Sequence, residues 1–185
     1  MKLKADLPGI LIVMLLGALS AAPAISQGRY IETADYLRSA FAGSEPVAST
    51  LWVTGELRQS ARTELGYELE PLRIRFWQHE GRTAWILDEI GKERPITIGV
   101  VVEDNAASMV RVLEFRETRG WEVKYPFFTD QFENVRLDSR RDLDHTIDSI
   151  TGATMSVDAV TRAVRLALFL HRYTGATEHG SHSIT

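Results

Sequence analysis

Apolar and polar residues alternate along the chain in a few clear periods. From Tyr30 to Phe41 the apolar positions are Ile31, Ala34, Leu37, Ala40 and Phe41, which is helical spacing. Gly43-Ser44-Glu45-Pro46 stops the helix, which is expected to cap the domain. Leu51-Trp52-Val53-Thr54 predicts a short strand ended by Gly55. The polar stretch from Arg58 to Glu70 fits a second helix or an exposed loop. Leu72, Ile74 and Phe76 then alternate with Arg73, Arg75 and Trp77, a period of two that predicts a strand with one buried face. Glu80-Gly81 makes a turn into a strand over Thr83 to Ile90, so the two pair as a hairpin. Gly91-Lys92-Glu93-Arg94-Pro95 breaks the run. Ile96, Ile98, Val100 and Val102 form the next strand, Asp104-Asn105 turns the chain, and Met109 to Thr118 forms another.

The last four of these strands, joined by hairpin-length links, predict an antiparallel sheet. Helices at both ends of the chain make the fold class α+β, a single small domain with flanking helices. The last helix is the longest. Val157, Val160, Ala163, Val164, Ala167, Leu168 and His171 fall on one face, and Leu166, Phe169 and Leu170 widen it, so the helix from Val157 to Tyr173 is expected to be well buried.

The stretch ahead of that helix, Asp148-Ser149-Ile150-Thr151-Gly152-Ala153-Thr154-Met155-Ser156, is small and polar. Gly152 permits a positive φ and a close approach to the backbone. The helix start has unpaired N–H groups and the positive end of the helix dipole, a setting that suits a phosphate. Thr154 adds a hydroxyl there. Asp158 opposes an anion, and Arg162 one turn on is placed to offset it. Read without a ligand, the same stretch is an ordinary loop-to-helix junction with Thr154 or Ser156 as N-cap.

At the other end, Lys2 and Lys4 precede an apolar run from Leu7 to Leu19, and Ala18, Ser20, Ala22 and Ala24 supply small residues for cleavage. That is the layout of a signal peptide, with Ala22-Pro23-Ala24 a cleavage candidate. Counted to Ile25, the run approaches the roughly 20 residues that span a bilayer. Pro8, Gly17 and Pro23 shorten its effective helix and favour cleavage over a retained anchor. Either reading exports the domain to the extracytoplasmic, periplasmic side. The expected organisation is a signal peptide or anchor over residues 1–26, a helix and linker over 27–50, one domain over 51–174, and a disordered polar tail over 175–185, whose His179 and His182 read as solvated rather than metal-ligating.

Composition narrows the chemistry. The chain has 185 residues, 44% of them apolar, which is enough for a real core. Its net charge of −4, with no basic stripe, argues against nucleic acid as a partner. With no cysteine there is no disulfide, thiolate catalysis, Cys-ligated metal or c-type haem attachment. No nucleophile elbow, His-Glu-x-x-His, P-loop or dinucleotide fingerprint occurs. Redox function therefore requires a bound cofactor.

Asp148-x-x-Thr151-Gly152-Ala153-Thr154 resembles the flavinylation motif of the FMN-binding domain found in Rnf-type and sodium-translocating quinone reductase complexes and in small extracytoplasmic flavoproteins. Upstream, Val112-Leu113-Glu114-Phe115-Arg116-Glu117-Thr118 is similar to the strand that precedes Glu-Thr-Pro-Gly in that family, with Arg119 in place of Pro and Gly120-Trp121-Glu122 in place of Gly-Leu-Gly. Phe128-Thr129-Asp130-Gln131-Phe132 resembles its Phe-x-x-Gln-Phe element. The three motifs stand in family order, and the resemblance covers Arg73 to Leu170. It implies FMN joined to Thr154 by a phosphoester bond, installed by a flavin transferase that reads Asp148. Thr151, Gly152 and Ala153 would shape the loop, with N–H groups near Thr154 and Met155 on phosphate oxygens. Ser156 would cap the helix or donate to the phosphate. Glu117, Thr118 and Gly120 would line the isoalloxazine side. Trp121 or Phe115 is a further ring contact, although core packing is the safer assignment for each. Phe127, Phe128 and Phe132 also fit core packing. The implied role is electron transfer with membrane-bound partners rather than stand-alone catalysis. Two alternatives remain: an FMN domain without the covalent bond, and a non-redox secreted binding module.

Overall fold

A computed structural model describes residue 28 and residues 30–175. The expected leader or anchor, most of the polar tail, and His179 and His182 lie outside the described residues. Among the described residues no helix is long and apolar enough to cross a membrane.

The sheet is a five-stranded antiparallel meander in chain order: β1 (Val47–Trp52), β2 (Arg73–His79), β3 (Arg82–Ile90), β4 (Pro95–Glu103) and β5 (Ala106–Phe115). The α+β class follows from this sheet and its helices: α1 (Thr33–Ala40), α2 (Gly55–Leu65), the single turn α3 (Pro126–Thr129) and α4 (Thr154–His171). Glu80 and Asp104-Asn105 hold the positive φ that tight hairpin turns require, at 47°, 51° and 58°. They set the register Phe76↔Trp85 across β2–β3 and Val101↔Met109 across β4–β5. β1 begins at Val47 rather than Leu51. β5 starts at Ala106 and ends at Phe115, so Glu117 and Thr118 lie beyond the strand rather than in it.

Arg58 to Glu70 is partly helical. Thr54 caps α2 by accepting the Leu57 N–H at 3.2 Å, and Gly66 ends it in the left-handed conformation. Only Leu57 and Ala61 of α2 are buried, one turn apart, which is why its polar sequence carries so weak a period.

The sheet buries both faces. Ile74, Phe76, Trp85, Ile98, Val100 and Val112 pack under α4, whose Val160, Val164, Phe169 and Leu170 are fully buried. Each such side chain contributes about 1.5–3 kcal/mol. The other face carries Ala84, Val101 and Leu113 beneath Tyr36 and Ala40 of α1 and its C-cap Phe41, as expected of a capping helix. Inside the main core, Thr83 Oγ1 lies 2.8 Å from His171 Nδ1 and accepts from the Trp85 indole at 3.0 Å.

Candidate functional site

Between β5 and α4 the chain has little regular structure but many side-chain ties. Asp138 accepts the N–H groups of Arg140 and Asp142, and Asp144 accepts that of Arg136. Burial pushes both carboxyls up, but these backbone bonds and neighbouring charges prevail and hold each below the usual carboxylate range. Phe128 and Phe132 are fully buried and anchor the preceding turns, while Phe127 points to solvent. Gln131 then reaches across: its Oε1 accepts the Asp148 N–H at 2.7 Å. The aromatic-rich motif thus holds the loop that leads into α4.

That loop turns at Ile150–Ala153, where the Ala153 N–H reaches the Ile150 carbonyl at 2.9 Å and Gly152 takes φ 81°. Ala153 is the N-cap of α4 and the helix has no side-chain cap. Neither Thr154 nor Ser156 caps it. Thr154 is the first helical residue and exposed, whereas Ser156 is buried in the first turn. The Ala153 carbonyl accepts the N–H groups of Ser156 and Val157 at 2.9 and 3.0 Å. The Thr154 hydroxyl and the N–H groups of Thr154 and Met155 have no partner among the described residues. No acidic residue lies in the first turn. Asp158 falls beyond it, and Arg162 is committed elsewhere, to Glu89 Oε2 at 3.1 Å and the Ile90 carbonyl at 2.7 Å.

A cavity of about 570 Å³ opens at this helix start. Gly152, Ala153, Thr154, Met155 and Ser156 line one side, and Glu117, Thr118 and Arg119 line the other. The two sequence motifs therefore meet in space. Gly120 makes the meeting possible: it has φ 82°, and a Cβ there would stand 2.5 Å from Ser156 Oγ. Thr151 is exposed in the turn, and Asp148 is exposed at the loop's entry; neither lines the cavity. Phe115 is buried in the sheet, whereas Trp121 is 43% exposed, so core packing holds for the first and not the second.

Lys92 and Glu93 of the β3–β4 loop also line the cavity and were not expected there. Their place is set by Glu117, whose Oε1 accepts the N–H groups of Glu93 and Arg94 at 2.6 and 2.9 Å. Burial raises the Glu117 pKa, but the N–H groups of Arg94, Glu93 and Lys92 and the Arg94 charge prevail and keep the carboxyl below its ordinary range. Gly91 leaves room for it, since a Cβ there would stand 2.9 Å from Glu117 Oε1. The Glu117 carboxylate is thus spent on the loop rather than offered freely to a ligand.

Uncapped helix N–H groups, an exposed hydroxyl and two cations around one cavity form a cradle for a phosphate. Residues 91–168 match the FMN-binding domain family. The match points to flavin binding, and it spans both cavity-lining motifs as well as Lys92 and Glu93. Searches of curated proteins and of solved structures return no match. The matched segment begins at the β3–β4 loop and ends within α4, so β1, β2 and β3 all lie outside it and extend its sheet. The residues present fit FMN. The cavity volume lies within the range of about 300–1,000 Å³ usual for ligand pockets.

Proposed function

We propose that this protein is an extracytoplasmic electron-transfer flavoprotein whose FMN is joined through its phosphate to Thr154. The observation that supports this most is the setting of Thr154: an exposed hydroxyl at the first position of an uncapped helix, inside the cavity of the FMN-binding segment. The unpaired N–H groups of Thr154 and Met155 stand at the positive helix end, where a phosphate would take the place of the missing cap. Lys92 and Arg119 add positive charge at the rim. Arg119 stands where the family pattern has Pro, and its planar guanidinium suits bidentate contact with phosphate oxygens.

In the attachment step the Thr154 oxygen bonds to phosphorus and loses its proton. A flavin transferase supplies an activated flavin nucleotide, whose leaving group departs, and no electrons change hands. Asp148, exposed at the loop's entry, is available to that enzyme. Bound FMN supplies one- and two-electron chemistry. The protein holds it and presents it to membrane-bound partners. The leader or anchor places the domain outside the cytoplasm, where a tether prevents loss of a cofactor that is hard to replace.

The test is fluorescence of the denatured chain in a gel after co-expression with the transferase. Flavin fluorescence that migrates with the wild-type chain supports the covalent reading. Flavin bound by the folded protein but released on denaturation would instead establish the non-covalent alternative.

A further inference from the structure

We infer that Tyr30, Trp121, Lys124, Tyr125 and Phe127 form a surface that rests on the lipid bilayer beside the cavity. The four aromatic side chains are all exposed, Phe127 at 63%. They are contiguous: Trp121 meets Tyr125 edge-on at 5.6 Å, and Tyr125 stacks on Phe127 at 6.2 Å. Lys124 Nζ lies 4.0 Å from the centre of the Tyr30 ring and 5.4 and 5.2 Å from those of Trp121 and Tyr125. Solvent-facing aromatics in such a cluster leave apolar area in water without a partner in the fold. Trp and Tyr with a Lys whose stem can lie along them is the composition found where proteins meet the headgroup region.

In the form that keeps its N-terminal run as an anchor, the alternative to cleavage, the chain's own connectivity names the occupant of the patch. The apolar run of the N-terminus ends at Ile25. Gly28 is fastened to β5 through its carbonyl, which accepts the Phe115 N–H at 2.8 Å, and the Tyr30 N–H reaches the Leu113 carbonyl at 2.8 Å. Three residues of extended chain cover about 10 Å. With the run retained in the bilayer as an anchor, Gly28 can stand no further than that beyond the point where the run emerges, which keeps its neighbours on β5, and Tyr30 two residues on, close to the bilayer. In that anchored form the membrane is delivered by the chain's own connectivity. Gly120, the residue before Trp121, packs on Ser156 in the cavity, so patch and cavity share a border.

The test uses the full, uncleaved chain reconstituted into phosphatidylcholine vesicles whose acyl chains are brominated near the headgroup. Quenching of tryptophan emission is compared among wild type, Trp121→Phe and Trp52→Phe. Trp52 is exposed too, but it lies on β1 at the opposite edge of the sheet. The quenchable fraction should fall at least twofold in Trp121→Phe and should not fall in Trp52→Phe. Phe127→Trp should add quenched emission, a gain that does not depend on how well Trp121→Phe folds. Equal quenching in wild type and Trp121→Phe, or an unquenched new tryptophan at 127, would overturn the assignment. None of these readouts involves flavin, so the result is independent of whether Thr154 carries FMN.

Discussion

The Glu117 carboxylate grips the backbone of Glu93, with Oε1 2.6 Å from its nitrogen. This long-range bond fastens the end of β5 to the β3–β4 loop and brings Lys92 to the cavity. Glu117→Ala should lower stability by about 1–2 kcal/mol, the range for a partly exposed charged acceptor of backbone N–H groups. The effect depends on pH. A carboxyl whose folded pKa is depressed stabilises fully above its unfolded value, about 4.3, and loses that contribution as pH falls through the folded value. Urea denaturation midpoints of wild type and variant should therefore differ at pH 7 and converge in strong acid. A gap that stays constant down to pH 3 would rule out the carboxylate as its source.

Gly120 stands where a side chain has no room. Gly120→Ala imposes a left-handed φ on alanine and drives its Cβ toward Ser156 Oγ. The cost should be about 1–3 kcal/mol. Because the clash lies at the cavity wall, FMN affinity should fall together with the denaturation midpoint. Full affinity in a destabilised variant would show that the wall can move away without harm.

Arg162 is a structural cation. It bonds to Glu89, a buried carboxylate that also accepts the Tyr67 hydroxyl at 2.6 Å. Arg162→Ala leaves Glu89 without its counter-charge and should cost roughly 2–4 kcal/mol. FMN attachment in the surviving folded protein should be unchanged, as measured by bound flavin per folded chain. Selective loss of flavin at full stability would return Arg162 to the phosphate site.

His171 is buried beside Thr83. Burial lowers its pKa, and Asp104 opposes that only in part. The unfolded chain takes up a proton near pH 6.5 while the folded chain does not, so this stabilisation is complete above that value and declines as pH falls below it. His171→Leu should remove this slope from the stability–pH curve between about pH 5 and 7. An unaltered slope would place the titration elsewhere.

Much of this arrangement is legible in the sequence, because its cues are local. The period-two runs of Ile74-Phe76 and Ile96-Ile98-Val100-Val102 give strands. Glu80-Gly81 and Asp104-Asn105 give the hairpins, and the apolar face from Val157 to His171 gives α4. Thr154 at a helix start and Gly120 near it are likewise motif positions. What sequence period does not show is what depends on distant bonds. Lys92 enters the cavity only because Glu117, far along the chain, captures the neighbouring N–H groups. The capping of α4 by Ala153 rather than Thr154 or Ser156 depends on the Ile150–Ala153 turn, which Gln131 steadies through Asp148. Trp121 is equally apolar in a core or on a surface, and only the fold shows it outside. For α2 the usable signals were the ends, Thr54 and Gly66, rather than the weakly periodic middle.

Intact mass of the exported protein, co-expressed with a flavin transferase and compared with Thr154→Ala, decides whether Thr154 carries FMN. One FMN-sized increment is expected on the wild-type chain and none on the variant. An unmodified wild-type mass beside an active transferase, or an increment that persists in Thr154→Ala, would contradict that attachment.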